Sequence, residues 1–340
     1  MIWLVSAWMA SAGSVFYVDN SAGEVRTFET RTMGNTYHSR GIPCVAFGGQ
    51  VTLALDVSRE RLWFFHHLPP PWNDGLGWQD INTMTYSCNP PWRYWNSDAL
   101  SFDPARDIPV LFETVTGSNM VDAFDGPIIQ DTGIAYIHAA DWYPPGGYHI
   151  VLGRDGFFAV DGITAPTLLG PLPTEVLPWD GDMAYDSDTH LLWLFENLNI
   201  WAIDPTTWSV VAWIPDLGLM DGAAGSIDDV PAQTPELLVS GECPGTVYVT
   251  AVDATPGEHV LVGSSTRAGL TTVRGGACAG AQLDLASPRL RVDLIANSAG
   301  IAATRLQATP GMCDRLMLQA LDVDTCLPTS VGTVPAARVP

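Results

Sequence analysis

Lysine is absent from this chain of 340 residues; all 15 basic residues are arginine, set against 37 acids for a formal net charge of −22. A field that negative repels nucleic-acid phosphates and anionic membrane surfaces, so neither is an expected partner. Ala/Leu/Glu-rich stretches are few while Gly (32) and Pro (26) are frequent, which argues against a helical protein. The apolar run at the N-terminus is interrupted by Ser6, Ser11, Gly13 and Ser14, so it does not read as a spanning helix. Walker, GxSxG and GxGxxG motifs do not occur in a suitable context, and neither HxH nor HExxH spacing is present. No CxxC occurs among the six cysteines, which turns the reading away from a zinc site.

Apolar residues make up 47% of the chain, enough for a sizeable core, and the length predicts two domains. Two composition steps mark the boundary. All 13 Trp lie between Trp3 and Trp213. Residues 1–238 carry a net charge of −21, residues 239–340 only −1. Between the halves, Asp221–Pro235 is Gly/Ala/Asp/Pro-rich, and 221–238 reads as a linker. Cys44, Cys88, Cys243, Cys278, Cys313 and Cys326 are even in number and widely spaced, as disulfides in an oxidising compartment would be; buried free thiols are the alternative. Four cysteines in the second half allow three connectivities. The expected set is Cys243–Cys278 and Cys313–Cys326, with Cys44–Cys88 in the first domain. Residues 1–13 have the apolar Ile2–Met9 and the small residues Ala10-Ser11-Ala12 of a truncated export signal, without its basic region; a closing strand is the other reading.

Three segments align without gaps. Leu53-Ala54-Leu55-Asp56 precedes Leu62–His66; Leu100-Ser101-Phe102-Asp103 precedes Pro109–Glu113; Met183-Ala184-Tyr185-Asp186 precedes Leu192–Glu196. Each pairs two apolar strands about a five-residue turn opened by Asp, whose carboxylate can bind amides two residues on. A divergent copy fits Gly133–Asp161 and an earlier one Phe16–Phe28. Met120–Asp125, Phe157–Asp161 and Ile200–Asp204 read as third strands. Short strands repeating every 42–47 residues are the pattern of propeller blades. Phe16–Phe28 (FYVDNSAGEVRTF) and Leu191–Ile214 (LLWLFENLNIWAIDPTTWSVVAWI) resemble blades of bacterial YVTN-type or NHL-like β-propellers. That resemblance implies an all-β first domain over 14–220 with about five blades, or six if residues are missing upstream. It is silent on function.

Residues 239–340 read as seven short strands, Val247–Val252, His259–Val262, Leu270–Arg274, Gln282–Leu285, Leu290–Ala296, Ile301–Gln307 and Leu316–Asp322. Strands at that spacing predict an immunoglobulin-like β-sandwich. The frame Cys243-Pro244-Gly245, Ala254–Gly257, Gly276–Gly280 and Leu318–Cys326 resembles C-terminal modules of uncharacterised secreted proteins of GC-rich bacteria.

Pro/aromatic loops between the repeat strands supply the first candidate site: Trp72, Trp78, Trp92, Trp95, Trp142, Tyr148 and Trp179. Flat rings beside Asp and Asn suit sugar binding, whereas rings covering blade edges would only pack. Asp180, Asp182, Asp186 and Asp188 could hold Ca²⁺, though not as an EF-hand, and Asp186 is already a repeat-turn residue; a solvated acidic turn is the alternative. No other cofactor is expected. His66, His67, His138, His149 and His190 lack metal-ligand spacing. The expected function is a bacterial extracellular or cell-envelope binding protein that takes a glycan or protein partner on these loops. One alternative is a propeller enzyme of lyase, lactonase or glycosidase type using Asp98, Asp141, Asp180 or Asp182; another is a purely structural surface or adhesion component.

Overall fold

A strand that is apolar on both faces needs a packed neighbour on each side, and the repeat strands are of this kind. The computed structural model describes residues 14–19, 24–41, 50–67, 75–83, 85–88, 97–113, 118–124, 127–176, 181–226 and 234–336. In chain order, β1 (Ser14–Asp19), β2 (Glu24–Glu29) and β3 (Gly34–Gly41) come first. Three four-stranded antiparallel sheets follow. They are β4 (Gln50–Asp56), β5 (Arg61–His67), β6 (Gly75–Asp80) and β7 (Tyr86–Cys88); β8 (Ser97–Asp103), β9 (Ile108–Glu113), β10 (Asn119–Asp122) and β11 (Ile128–Asp131); and β12 (Ala139–Tyr143), β13 (Tyr148–Gly153), β14 (Gly156–Val160) and β15 (Thr167–Pro171). Next come β16 (Gly181–Asp186) and two long strands, β17 (Leu191–Asp204) and β18 (Ser209–Ser226).

These long strands are shared between partners. The first part of β17 pairs with β16 and its second part with Ser209–Pro215 of β18. Met220–Ser226 of β18 then pairs with β1, which continues to β2 and β3. The first strands of successive sheets lie side by side, β4 by β8, β8 by β12, β12 by β16, and β18 lies beside both β16 and β4. The circuit is closed by joining an early strand to a late one.

Side-chain alternation shows why the sheets stack in a circle. Along β5, Leu62 and Phe64 pack toward Phe16 and Val18, while Trp63 and Phe65 pack toward Leu100 and Phe102. On β9, Leu111 joins that second cluster, and Val110 and Phe112 join Ala140 and Val151. On β17, Leu192 and Leu194 meet Ile150 and Leu152, and Trp193 and Phe195 meet Val15, Tyr17 and Phe28. Each sheet thus has a core on both faces. The fold is an all-β, propeller-like ring.

The repeat's aspartates act as the sequence predicts. Asp56, Asp103 and Asp186 are fully buried at the end of β4, β8 and β16. Asp103 Oδ1 accepts the Ala105 and Arg106 amides (2.9 and 3.0 Å), Asp186 the Asp188 and Thr189 amides (3.1 and 3.2 Å), and Asp56 the Arg59 amide (3.2 Å). The residue four positions after each Asp is left-handed: Glu60 (φ 52°), Asp107 (60°) and His190 (57°). Tyr143 takes the Asp position in the divergent copy, and there Gly147 (φ 66°) supplies the left-handed residue.

The second half is a sandwich of two sheets. One is β19 (Glu236–Gly241), β20 (Gly245–Val252) and β25 (Ala302–Ala308); the other orders β24 (Arg289–Ile295), β21 (His259–Ser265), β26 (Met317–Asp322) and β27 (Gly332–Thr333). A hairpin, β22 (Ala268–Thr272) and β23 (Gln282–Leu285), stands outside them. All seven expected strands are present; β19 and β27 were not foreseen. Val247, Val249, Val260, Val262, Leu318 and Ala320 form the core between the sheets.

Two corrections arise here. The disulfides are Cys243–Cys313 and Cys278–Cys326, not the sequence-adjacent pairs. Cys243 lies just before β20 and Cys313 just after β25, and those strands pair directly, with Gly245 opposite Ala308. Cys278 sits on the turn of the β22–β23 hairpin, which packs against β26, and Cys326 follows β26. Strand pairing, not sequence distance, brings each couple together. Cys44 and the Cys88 side chain lie outside the described residues, as do residues 1–13.

The second correction concerns the linker. Its first residues, 221–226, continue β18 and its last, 236–238, open β19. The sandwich also shares the propeller's core: Leu238, Val252 and Ile301 pack with Trp193 and Ile200, and Tyr248 packs with Tyr185 and Trp201. Thr250 Oγ1 donates to the Val211 carbonyl (2.6 Å), Asn297 Nδ2 to Asp204 Oδ2 (2.7 Å), and Arg305 pairs with Glu175 (2.8 Å). The β19–β20–β25 sheet is therefore covered on both faces.

Candidate functional site

The aromatic candidates that fall in the described residues are strand residues, not loop residues. Trp78 lies on β6 opposite Trp63, with the Arg61 guanidinium 4.2 Å above its ring centre. Trp142 lies on β12 and meets His149 edge-on at 5.0 Å. Tyr148 opens β13, tilted against Tyr143 at 5.5 Å. Their rings are half-buried against neighbouring side chains. Trp72, Trp92, Trp95 and Trp179 lie outside the described residues.

The acidic candidates are turned toward protein donors. Asp182 Oδ2 accepts the Leu53 amide from across the ring (3.3 Å) and Oδ1 its neighbour Met183 (2.8 Å). Asp186 holds its own turn. Asp188 is paired with Arg31, whose guanidinium also reaches Glu236 (2.8 Å) and Asp253 (2.7 Å). Among the described residues, no group of three or more His, Cys, Asp or Glu is placed to hold a metal ion. Asp180 and the Asp98 side chain lie outside the description. Of the enzymatic suspects, Asp141 is buried and accepts the Tyr185 amide (2.6 Å). Burial pushes its carboxyl up to about 7 against two backbone hydrogen bonds.

One arrangement was not foreseen. Ser101 Oγ lies 2.9 Å from His149 Nδ1, and His149 Nε2 lies 3.8 Å from Asp103 Oδ2. The residue types match a nucleophile triad, but all three are fully buried and the imidazole lies between Phe112 and Trp142. No substrate atom can reach Ser101 there. Burial lowers the affinity of His149 for its second proton. The group is a polar tie from β8 to β13. Equal spacing accounts for it: Ser101 and Asp103 are two apart on one strand face. Of the other histidines, His190 Nδ1 lies 3.2 Å from the Tyr185 hydroxyl, His138 is half-buried, and the side chains of His66 and His67 are outside the description.

A concave site forms where the ring meets the sandwich. A cavity of about 290 Å³ is lined by Thr32, Met33, Trp213, Ile214, Pro215 and Val239–Cys243, with Pro335 and Ala336 from the C-terminal segment. Trp213 is fixed from three directions. Its ring stacks on Trp201 at 5.3 Å and 9°, its indole N–H donates to Asn199 Oδ1 (3.0 Å), and its backbone N–H donates to Ser240 Oγ (3.0 Å). Met33, Ile214, Pro215 and Val239 supply apolar wall; Thr32, Ser240 and Glu242 supply polar groups. Trp201 and Trp213 were legible as a pair, since a hairpin folded about Pro205–Trp208 sets them opposite each other. Their convergence with Ser240 and Pro335 was not, because it depends on docking of the sandwich.

No protein-family description matches the chain, and no curated protein matches it. The YVTN/NHL resemblance and that of the C-terminal module therefore find no counterpart there. Among solved structures it is similar to a dihydro-heme d1 dehydrogenase, NirN, in complex with DHE, at 11% identity and a TM-score of 0.33, covering 98% of this chain and 76% of that one. It is also similar to a protein of unknown function from Bacteroides thetaiotaomicron VPI-5482, at 9% identity and a TM-score of 0.40, covering 70% of this chain and 64% of the other. Likenesses this distant carry no argument about activity.

Proposed function

We propose that the chain is a non-catalytic recognition protein of a bacterial cell exterior, a five-bladed propeller fused to an immunoglobulin-like sandwich, and that it binds a saccharide in the junction cavity. The observation that supports this reading is the Trp213 ring, held flat by Trp201 at the wall of a cavity of about 290 Å³. A fixed indole offers an apolar face to sugar C–H groups, and Thr32, Ser240 and Glu242 offer hydroxyl and carboxylate partners beside it. The volume is at the small end for ligand sites, roughly 300–1,000 Å³, and suits one sugar residue or the end of a chain. Asp141 and Asp182 favour binding over catalysis, since both carboxylates already accept backbone amides. The two disulfides agree with an oxidising compartment. Among the described residues, no helix is long and apolar enough to cross a membrane.

The test is a titration of purified protein with a panel of neutral glycans, read by intrinsic Trp fluorescence. A saturable change with one sugar class, lost in Trp213→Ala and kept in Trp78→Ala, is the expected result. A response that survives Trp213→Ala would move the site back to the loop aromatics. No response from folded protein to any sugar would leave a protein partner or a structural role.

A further inference from the structure

We propose a second binding site, on the sandwich, for the anionic group of an acidic saccharide residue such as a uronate or a sugar sulfate. It is separate from the junction cavity and does not rest on the reading given there. A cavity of about 380 Å³ is lined by three arginines, Arg267, Arg289 and Arg291, and by Ser264, Ser265, Thr266 and Ser287, with Ala286 and Leu316 as apolar surface. No acid is among its lining residues.

The local fold brings the arginines together. Arg289 and Arg291 flank Leu290 on β24, where a register shift against β21 makes Arg291 the bulged residue, and both line the cavity. Arg289 lies opposite Ser264 on β21, and Arg291 Nε donates to Ser264 Oγ. Arg267 comes from the turn after β21. Ser265 Oγ pins that turn by donating to the Ala286 carbonyl (2.7 Å), with the Arg267 carbonyl also within 3.0 Å, and by accepting the Arg267 amide (3.1 Å). The Ala286 amide in turn donates to the Arg267 carbonyl (3.0 Å).

Among the described residues, these three arginines hold no carboxylate, as is also true of Arg61, Arg154, Arg274 and Arg315, but only these three line one cavity. In the propeller, Arg26, Arg31, Arg59 and Arg106 each hold a carboxylate, and in the sandwich Arg305 holds Glu175. Among the described residues, no carboxylate pairs with Arg267, Arg289 or Arg291; the nearby Asp293 is taken by His259 at 2.7 Å. Arginine on an edge strand such as β24 also deters strand-to-strand aggregation. That role requires neither a third arginine from another turn nor a cavity.

Guanidinium forks suit planar or tetrahedral oxyanions, and the Thr266 and Ser287 hydroxyls in the lining suit the hydroxyls of a sugar ring. The cavity is larger than a bare oxyanion needs and lies within the small-molecule range of roughly 300–1,000 Å³. A long polyanion is disfavoured, since residues 1–238 carry a net charge of −21 and would repel its flanks. A single acidic residue at the near-neutral sandwich avoids that field.

Isothermal titration of the full chain at low salt tests the site, with glucuronate, galactose 6-sulfate, inorganic sulfate and neutral glucose as ligands. The sandwich has no Trp, so fluorescence is not the readout. Binding of either acidic sugar, tighter than inorganic sulfate and than glucose and weakened by added NaCl, is expected. Arg267→Ala with Arg289→Ala weakens it by about ten-fold or more, whereas Arg274→Ala, outside the cavity, leaves it unchanged. Equal binding in the double variant overturns the site. Inorganic sulfate binding as tightly as the sugars overturns the saccharide assignment. Absence of heat with every anion, from protein whose thermal melt is intact, overturns both.

Discussion

Asp56 ends β4 with its carboxylate wholly inside the protein, where it accepts the Ser58 hydroxyl (2.7 Å), the Arg59 amide and the Arg59 guanidinium (2.9 Å). Asp56→Ala removes the acceptor that caps this turn, and urea melts should show a loss of about 0.5–2 kcal/mol. Asp141 has the opposite electrostatics. Its folded pKa of about 7 lies above that of an unfolded aspartate, so the folded state holds the proton more tightly. The stability it contributes is complete below about pH 4 and is lost as pH rises through 7. Asp141→Asn keeps an acceptor for the Tyr185 amide and removes the charge. The variant should gain on the wild type steadily from pH 4 to 7, level off above, and be the more stable at pH 8. A constant difference between the two proteins across that range would contradict the buried-charge account. The turn aspartates were readable from sequence, because spacing and residue type alone define that turn. The Ser101–His149–Asp103 tie was not, since 48 residues separate Ser101 from His149.

At the scale of elements, unbroken apolar runs were the readable signal. Leu62–Phe65 and Leu191–Phe195 are apolar at every position, so each strand must be covered on two faces, and stacked sheets answer that need. The sequence did not show how the ring closes, because β1 and Met220–Ser226 lie at opposite ends of the propeller segment. Disulfide pairing was hidden for the same reason. Cys243–Cys313 spans 70 residues, and in the chain-entropy account a closed loop of that length stabilises by about 4 kcal/mol. Cys243→Ala with Cys313→Ala should lower the urea midpoint of the whole chain, read by far-UV circular dichroism. Equal native stability of the variant and the parent would show that strand pairing alone holds β20 and β25.

For the whole molecule, the decisive feature is that propeller and sandwich share side chains. Arg31, between β2 and β3, binds Asp188 of the ring together with Glu236 and Asp253 of the sandwich side. Burial disfavours its charge, yet the hydrogen bonds to Asp188 and Glu236 and the nearby Asp253 outweigh it and raise its pKa. Asp253 is pushed up to about 6, chiefly by burial and against the pull of Arg31. Arg31→Met strands these carboxylates at the junction, at a cost of about 3–5 kcal/mol. The parent should unfold in one transition, with Trp fluorescence, confined to the propeller half, coinciding with circular dichroism. In Arg31→Met the two signals should separate. Coincident curves in the variant would mean that the apolar contacts of Leu238, Val252 and Ile301 suffice.

What the sequence determined by itself is local: strand identity, the aspartate turns, the composition step between the halves and the cysteine inventory. These follow from contacts within a few residues or from counts, and chain order preserves both. The tertiary structure decided everything that joins distant segments. It alone paired Cys243 with Cys313, drew β18 through the expected linker, set Trp213 at a cavity beside Ser240, and gathered Arg267, Arg289 and Arg291. Packing energy depends on which faces meet, and in a ring closed by its first and last strands that meeting is not written in the order of residues.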